Sequence, residues 1–283
     1  MPIPWLRHRL FRWGADYLTK PLGEHRGPTW HDPDILRQTL RPGDIVLVEG
    51  DQRVSEIIKF LTQSSWSHAA IYVGDALQNR SPEQRASLEG GVEADTAHMV
   101  IEALLEEGVT ANPIAKYTDF NLRICRPLGL QAEDLAKIVS EISGQMGSRY
   151  NVRHVFDLAR YFFPVSLIPR RFRRTALELG SDLTHEVICS TLIAQAFQNV
   201  GFPIRPTITP DGAAPPSPWY TRLVRRRTPY PARFRHKRTS LVTPRDFDLS
   251  PYFEIIKPNL VAAEAFDYRR IRWDDIGKES EPG

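Results

Sequence analysis

Two cysteines, Cys125 and Cys189, are all that the 283 residues contain. A disulfide-stapled secreted scaffold uses more, so a reducing compartment is the simpler expectation. Also missing is any apolar run near the roughly 18 to 20 residues that cross a bilayer as a helix. The amino terminus, MPIPWLRHRLFRWGADYLTK, scatters arginines among its apolar residues. It has neither the unbroken apolar region nor the small-residue cleavage site of a signal peptide. Together these absences lead to the expectation of a cytoplasmic protein or one peripheral at a membrane. Nor is there a large excess of one charge sign. Lys and Arg number 37 against 34 Asp and Glu, a net charge of +3, so no dedicated polyanion binder is indicated and no nucleic-acid partner is expected. No internal repeat is present.

What the chain does have is enough apolar material, 41% of its residues, for one large core with appendages. Leu6, Leu10, Trp13 and Tyr17 recur at helical spacing, with His8, Arg9 and Arg12 largely off that stripe, so the first segment reads as a short amphipathic helix. Pro21, Gly23, Gly27 and Pro28 then break the pattern. Residues 1–35 are expected to form an extension, 36–260 the main domain with insertions near 76–98 and 205–240, and 261–283 a tail. Within the domain, Ile45 to Val48 read as a strand, SEIIKFLTQ as a short helix with Ile57, Ile58 and Leu61 inward, and SHAAIYVGD as a strand of strict alternation. There Ala69, Ile71 and Val73 point one way, and His68, Ala70 and Tyr72 point the other, toward or beside open space. MVIEAL and NLRICRPLG read as further strands, the second stopping at Pro127. AEDLAKIVSEISGQM and NVRHVFDLARYFF have helical spacing. CSTLIAQAFQNVG is the clearest helix, with Leu192, Ile193, Ala196, Phe197 and Val200 in one stripe and Gly201 as its left-handed stop. The DGAAPPSP stretch and residues 222 to 238, which hold eight Lys or Arg and no acid, read as irregular structure. YFEIIKP reads as a return to the sheet. The predicted fold class is α+β.

Three residues are candidates for chemistry. Cys189 opens the clearest helix, where unpaired backbone N–H groups and the helix dipole favour an anion such as a thiolate. A lone cysteine at a helix start is often only buried packing, so it needs a base. His68, at the start of an alternating strand, is the best candidate. Glu102 lies among Val100, Ile101, Ala103 and Leu104, an apolar setting in which a carboxylate requires a partner. It is placed to accept the imidazole N–H from a neighbouring strand and hold the useful tautomer.

The order GDIVLV, WSHAAIYVGD, VIEA, ICSTLIAQAF and TPRDFDLSPYFEII resembles the circularly permuted branch of the NlpC/P60 papain-like superfamily. These are the YiiX/YaeF-like proteins related to lecithin:retinol acyltransferase. The resemblance covers roughly residues 41 to 256. It implies a papain-like antiparallel sheet or partial barrel packed against helices, with Cys189 as nucleophile, His68 as base and Glu102 as the polar third member. The histidine strand preceding the cysteine helix is the mark of the permuted branch. Tyr150, in GSRYN, resembles a site-proximal family tyrosine that aids the oxyanion region.

The expected activity is a cysteine-dependent hydrolase of amidase or peptidase type that forms an acyl-enzyme on Cys189. The substrate expected is a small-molecule, peptide or lipid amide or ester. One alternative is a lipid-directed acyltransferase or phospholipase with the same Cys/His site; the amphipathic start, the basic run 222 to 238 and a second cluster, Arg170, Arg171, Arg173 and Arg174, would give it peripheral membrane contact. The other is a non-catalytic module binding lipid or nucleic acid. No cofactor is implied. A metal site drawn from His68, His98, Glu102, His185 and Cys189 has poor spacing, with no HExxH and no CxxC, so no metal is expected.

Overall fold

The computed structural model describes residues 19–21, 31–78, 97–104, 107–148, 188–210, 232–258, 267 and 269. The expected helices at the amino terminus and over NVRHVFDLARYFF, most of the 76–98 insertion, and DGAAPPSP lie outside them. The elements, in chain order, begin with α1 (Pro33–Thr39), β1 (Ile45–Glu49), α2 (Arg53–Thr62), β2 (His68–Gly74), β3 (Met99–Leu104) and β4 (Gly108–Pro113). A 3-10 turn (Ile114–Tyr117), β5 (Asn121–Pro127), α3 (Ala132–Gly144) and α4 (Ile188–Asn199) follow. Then come β6 (Thr207–Pro210), β7 (Ala232–Arg235), a second 3-10 turn (Thr239–Leu241), α5 (Pro244–Asp248) and β8 (Phe253–Ile256).

Six strands make one antiparallel sheet in the order β4-β3-β2-β1-β5-β8. Every strand read from the sequence is in it, including the late YFEIIKP segment. With helices packed on the sheet, this is the α+β class.

The strict alternation of β1 and β2 sorts their side chains between two apolar layers. Ile45, Leu47, Ala69, Ile71 and Val73 meet α3 and α4 through Ile138, Ile142, Ile193 and Phe197. Val46, Val48, Ala70 and Tyr72 meet a second layer built by Leu36 and Leu40 of the α1 segment and by Ile114 and Tyr117 of the first 3-10 turn. That second layer corrects one sequence expectation. The face shared by Ala70 and Tyr72 does not border open space; both are buried. In α2, the expected inward residues Ile57, Ile58 and Leu61 are half-buried, while Ser55 is fully covered.

Two turns show why the chain bends where it does. Gly201 ends α4 with φ +76°, a conformation costly for residues bearing a Cβ. Gly43, at φ +93°, precedes Asp44, and a Cβ on Gly43 would meet Leu135 Cδ1 at 2.8 Å. Asp44 is buried and accepts from Arg126 Nε at 2.9 Å and Nη2 at 2.8 Å, a two-pronged pair joining the start of β1 to β5. It also accepts from the Arg41 backbone N–H at 2.8 Å.

The segment between 205 and 240 is not wholly irregular. Thr207–Pro210 pairs with Ala232–Arg235 as a two-stranded antiparallel ribbon, so four residues of the basic run are strand. The base of this ribbon is pinned by Asp246 of α5, which takes Arg205 Nη1 at 3.1 Å and Lys237 Nζ at 2.8 Å. Asp246 also completes the capping box with Thr243. Burial raises the proton affinity of Asp246, but Lys237, the Thr243 N–H and Arg205 outweigh it and hold the carboxyl below its usual range.

Replacing Asp44 by Asn leaves the Arg126 guanidinium, itself mostly buried, without its counter-charge. The expected loss is about 2–4 kcal/mol of unfolding free energy, read from urea denaturation; a loss under about 0.5 kcal/mol would place this pair among the weak surface bridges instead.

Candidate active site

Cys189 is the second residue of α4, in the turn where backbone N–H groups lack intrahelical acceptors. The helix packs on β2 and β3 through its apolar stripe. Its first turn is fixed from the other side by a strap, residues 237–242. Ser190 Oγ donates to the Val242 carbonyl at 2.6 Å, Thr191 Oγ1 to that of Thr239 at 3.4 Å, and Gln198 Nε2 to that of Lys237 at 2.8 Å. Because α5 with its capping box and Asp246 anchors this strap, the TPRDFDLS segment supports the cysteine helix from a distance.

His68 begins β2, next to Trp66 and Ser67, both buried. Ser67 Oγ accepts from the Gly50 N–H at 2.9 Å. A Cβ at Gly50 would lie 2.4 Å from Ser55 Oγ and 2.9 Å from Ser67 Oγ, so the close approach of β1 to this corner requires glycine. Trp66 carries Arg123 over its ring at 4.8 Å, and Arg123 is paired with Asp248 at 2.5 Å.

Glu102 sits at the middle of β3. The pairing of Ile71 with Ile101 sets Ala70 opposite Glu102 and His68 one diagonal step away, within reach of a long side chain. His68 Nε2 meets Glu102 Oε2 at 2.5 Å. That leaves Nδ1 as the ring nitrogen facing the cysteine. Burial disfavours the His68 imidazolium. The electrostatic influence and hydrogen bond of Cys189, then those of Glu102, more than reverse this, and the pKa is pushed up to about 10. Burial likewise works against the Glu102 carboxylate, but His68 first and then Lys116 and Tyr117 hold its pKa at about 2.

Three partners of Glu102 escaped the sequence reading. Asn112 Nδ2 donates to Oε1 at 2.8 Å, Lys116 Nζ lies 3.1 Å from the same oxygen, and the Tyr117 hydroxyl donates to Oε2. Asn112 comes from β4, where Thr110 pairs with Glu102 and Asn112 with Val100, again a diagonal neighbour. Its signal was faint. GVTANP has one alternation of small and polar residues and ends in proline, and no periodicity links a Lys-Tyr pair on a 3-10 turn to a carboxylate on β3. Burial, together with the neighbouring Glu102 charge, raises the Tyr117 pKa well above its usual value, which keeps this phenol a neutral donor.

The structure therefore brings Cys189, His68 and Glu102 together. Tyr150 and His185 lie outside the described residues. His98 is elsewhere, its Nδ1 bonded to the Tyr72 hydroxyl at 2.7 Å. Among the described residues no cluster of three or more His, Cys, Asp or Glu side chains is arranged to hold a metal ion, and no helix is long and apolar enough to cross a membrane.

An antiparallel sheet bearing histidine and glutamate, with a cysteine-led helix against it, defines the papain-like class. A profile of the permuted papain-like amidase family, YaeF/YiiX, matches residues 39–177, which supports a circularly permuted papain-like family. The matched span takes in His68 and Glu102 and ends before Cys189. The crystal structure of metalloprotein yiiX from Escherichia coli is similar over 77% of this chain and 97% of its own, at 16% identity and a TM-score of 0.40. No curated protein matches the chain.

Glu102 and His68 each make stability depend on pH. Glu102 binds its proton more weakly folded than unfolded, so its contribution is full above pH 4.5 and lost as pH falls through about 2. His68 holds its proton more tightly when folded, so its contribution is full below pH 6.5 and lost as pH rises through about 10. Both are full between 4.5 and 6.5. Thermal midpoints across pH should show a plateau there and decline on either side, and Glu102→Gln should flatten the acid decline. An acid decline unchanged in that variant would contradict the assignment.

Proposed function

We propose that the protein is a cysteine-dependent hydrolase of amide or ester bonds, with Cys189 as nucleophile, His68 as general base and acid, and Glu102 as the group that orients the imidazole. The observation that carries this reading is the single chain of contacts from Cys189 through the two nitrogens of His68 to a buried, fully hydrogen-bonded Glu102. The match of residues 39–177 to a family of papain-like amidases supports the hydrolytic chemistry.

Nδ1 of His68 takes the proton of the Cys189 thiol, which leaves a thiolate beside an imidazolium. The thiolate attacks the substrate carbonyl carbon, and the carbonyl electrons move to oxygen. The backbone N–H of Cys189, in the first turn of α4, is the donor that stabilises this oxyanion. Collapse of the tetrahedral species breaks the C–N or C–O bond, and the imidazolium gives its proton to the leaving group. Neutral His68 then takes a proton from water, which attacks the thioester and returns sulfur to the thiolate as the acid departs. Through both half-reactions Glu102 remains ionised and keeps Nε2 as the protonated nitrogen, so that Nδ1 alone exchanges protons.

A second reading, action on a lipid ester, draws on one observation. The ribbon formed by β6 and β7 exposes Ile208 beside the exposed basic residues Arg235, His236 and Arg238, a combination suited to an anionic membrane surface. Trials of amide peptides against phospholipid vesicles separate the two substrates.

On whichever substrate is turned over, Cys189→Ala and His68→Ala should each reduce kcat/KM by roughly a thousandfold or more, and the double variant should be no worse than either alone. Wild-type rates in both single variants would remove the mechanism.

A further inference from the structure

Glu102 accepts at all of its lone-pair positions: His68 and Tyr117 at Oε2, Asn112 and Lys116 at Oε1. Orientation alone needs no fourth donor. Asn112 and Tyr117, both buried, already fix the carboxylate, and His68 provides its counter-charge. What Lys116 adds is a second positive charge on the far side of the carboxylate from the imidazole. It reaches there from the 3-10 turn, with its Nζ 5.5 Å from the centre of the Tyr117 ring and 3.1 Å from Glu102.

Counting charges shows what this does. A thiolate at Cys189, an imidazolium at His68 and a carboxylate at Glu102 sum to one net negative charge in a site where Cys189 and Glu102 are almost wholly removed from water. Net buried charge is costly, and a buried pair that is neutral overall is much less so. An ammonium at Lys116 brings the sum to zero and makes the signs alternate along the line: minus, plus, minus, plus. Lys116 side-chain exposure is 37%, so its own desolvation is only partial, whereas the carboxylate it faces is wholly enclosed.

Resting on the reading of Cys189 as nucleophile, we propose that Lys116 is a positioning residue of the active site, whose ammonium completes an alternating row of four charges so that the thiolate–imidazolium form of the Cys189–His68 pair carries no net charge. The other groups facing this row are Tyr117, which stays neutral, the neutral amide of Asn112, and Glu107, an exposed carboxylate whose charge acts on Tyr117. Glu107 shares the sign of Glu102, so it adds to the need for a cation and does not replace one.

Removing Lys116 should therefore act on both members of the pair. The surplus of negative charge makes the thiol harder to ionise and the imidazolium harder to deprotonate, so both limbs of the thiolate–imidazolium window move to higher pH. The test is the rate of Cys189 alkylation by iodoacetamide from pH 4 to 11, with the labelled residue identified by mass spectrometry, in wild type, Lys116→Met, Lys116→Gln and Lys116→Arg. Each should also be followed by an unfolding curve. The expected result is an upward displacement of both limbs by about one pH unit in Met and Gln, with Arg close to wild type because it keeps the charge. Raising the salt concentration should displace the wild-type limbs in the same direction and leave the Met variant less affected, since a partly exposed ammonium is screened. Limbs that stay in place in both Met and Gln, even with a lower rate, would reduce Lys116 to packing and overturn the proposal. A wild-type Cys189 that is inert at every pH would instead overturn the nucleophile reading on which it rests.

Discussion

The enclosed carboxylate of Glu102 is the constraint around which the sheet is organised. An ionised carboxylate without partners inside a core costs many kcal/mol and would take a proton instead. Here it is kept charged by four donors from three places: His68 on β2, Asn112 on β4, and Lys116 and Tyr117 on the turn that follows. The donors on strands, His68 and Asn112, depend on antiparallel registers holding to the residue, because a slip by one would turn these side chains to the opposite face. The alternation that buries Ile71 and Ile101 on one side thus aims His68 and Glu102 at each other on the other.

The cysteine is delivered by separate means. The apolar stripe of α4 seats it on the sheet, and the 237–242 strap, pinned through Asp246, holds its first turn. Sheet and helix then converge at His68, whose two nitrogens connect a buried anion on one side to a sulfur on the other. Charge separation across such a pair is stabilised in a site of low polarity only when the whole group is near neutrality, which is why the cation at the end of the row matters to the sulfur at its beginning.

Much of this was legible in the chain. The period-2 pattern of HAAIYVG placed β2, MVIEAL placed Glu102 in a strand, and the stripe from Leu192 to Val200 with Gly201 marked α4. The isolated acid in VIEAL announced a partner because apolar neighbours on both sides left it no water. The partners on the other side of the carboxylate were silent, since Asn112, Lys116 and Tyr117 follow no period and meet Glu102 only through the pairing of β3 with β4. The error about the Ala70 and Tyr72 face has the same origin. Alternation tells two faces apart, but what covers the second, here Leu36 from before the sheet and Ile114 from after it, is set by tertiary packing. The ribbon at β6 and β7 was hidden because its strands are four residues each, lie far apart in the chain and carry prolines and arginines more typical of loops.

The central claim is that His68 is held between two negative groups, one of them the sulfur of Cys189. The most direct measurement is an NMR titration of the His68 ring in the wild type and in Cys189→Ser. The account predicts an imidazolium that persists through neutral pH and deprotonates near pH 10 in the wild type, with a clear fall when the sulfur is replaced. A His68 that titrates near its ordinary value of about 6.5 in both proteins would contradict it.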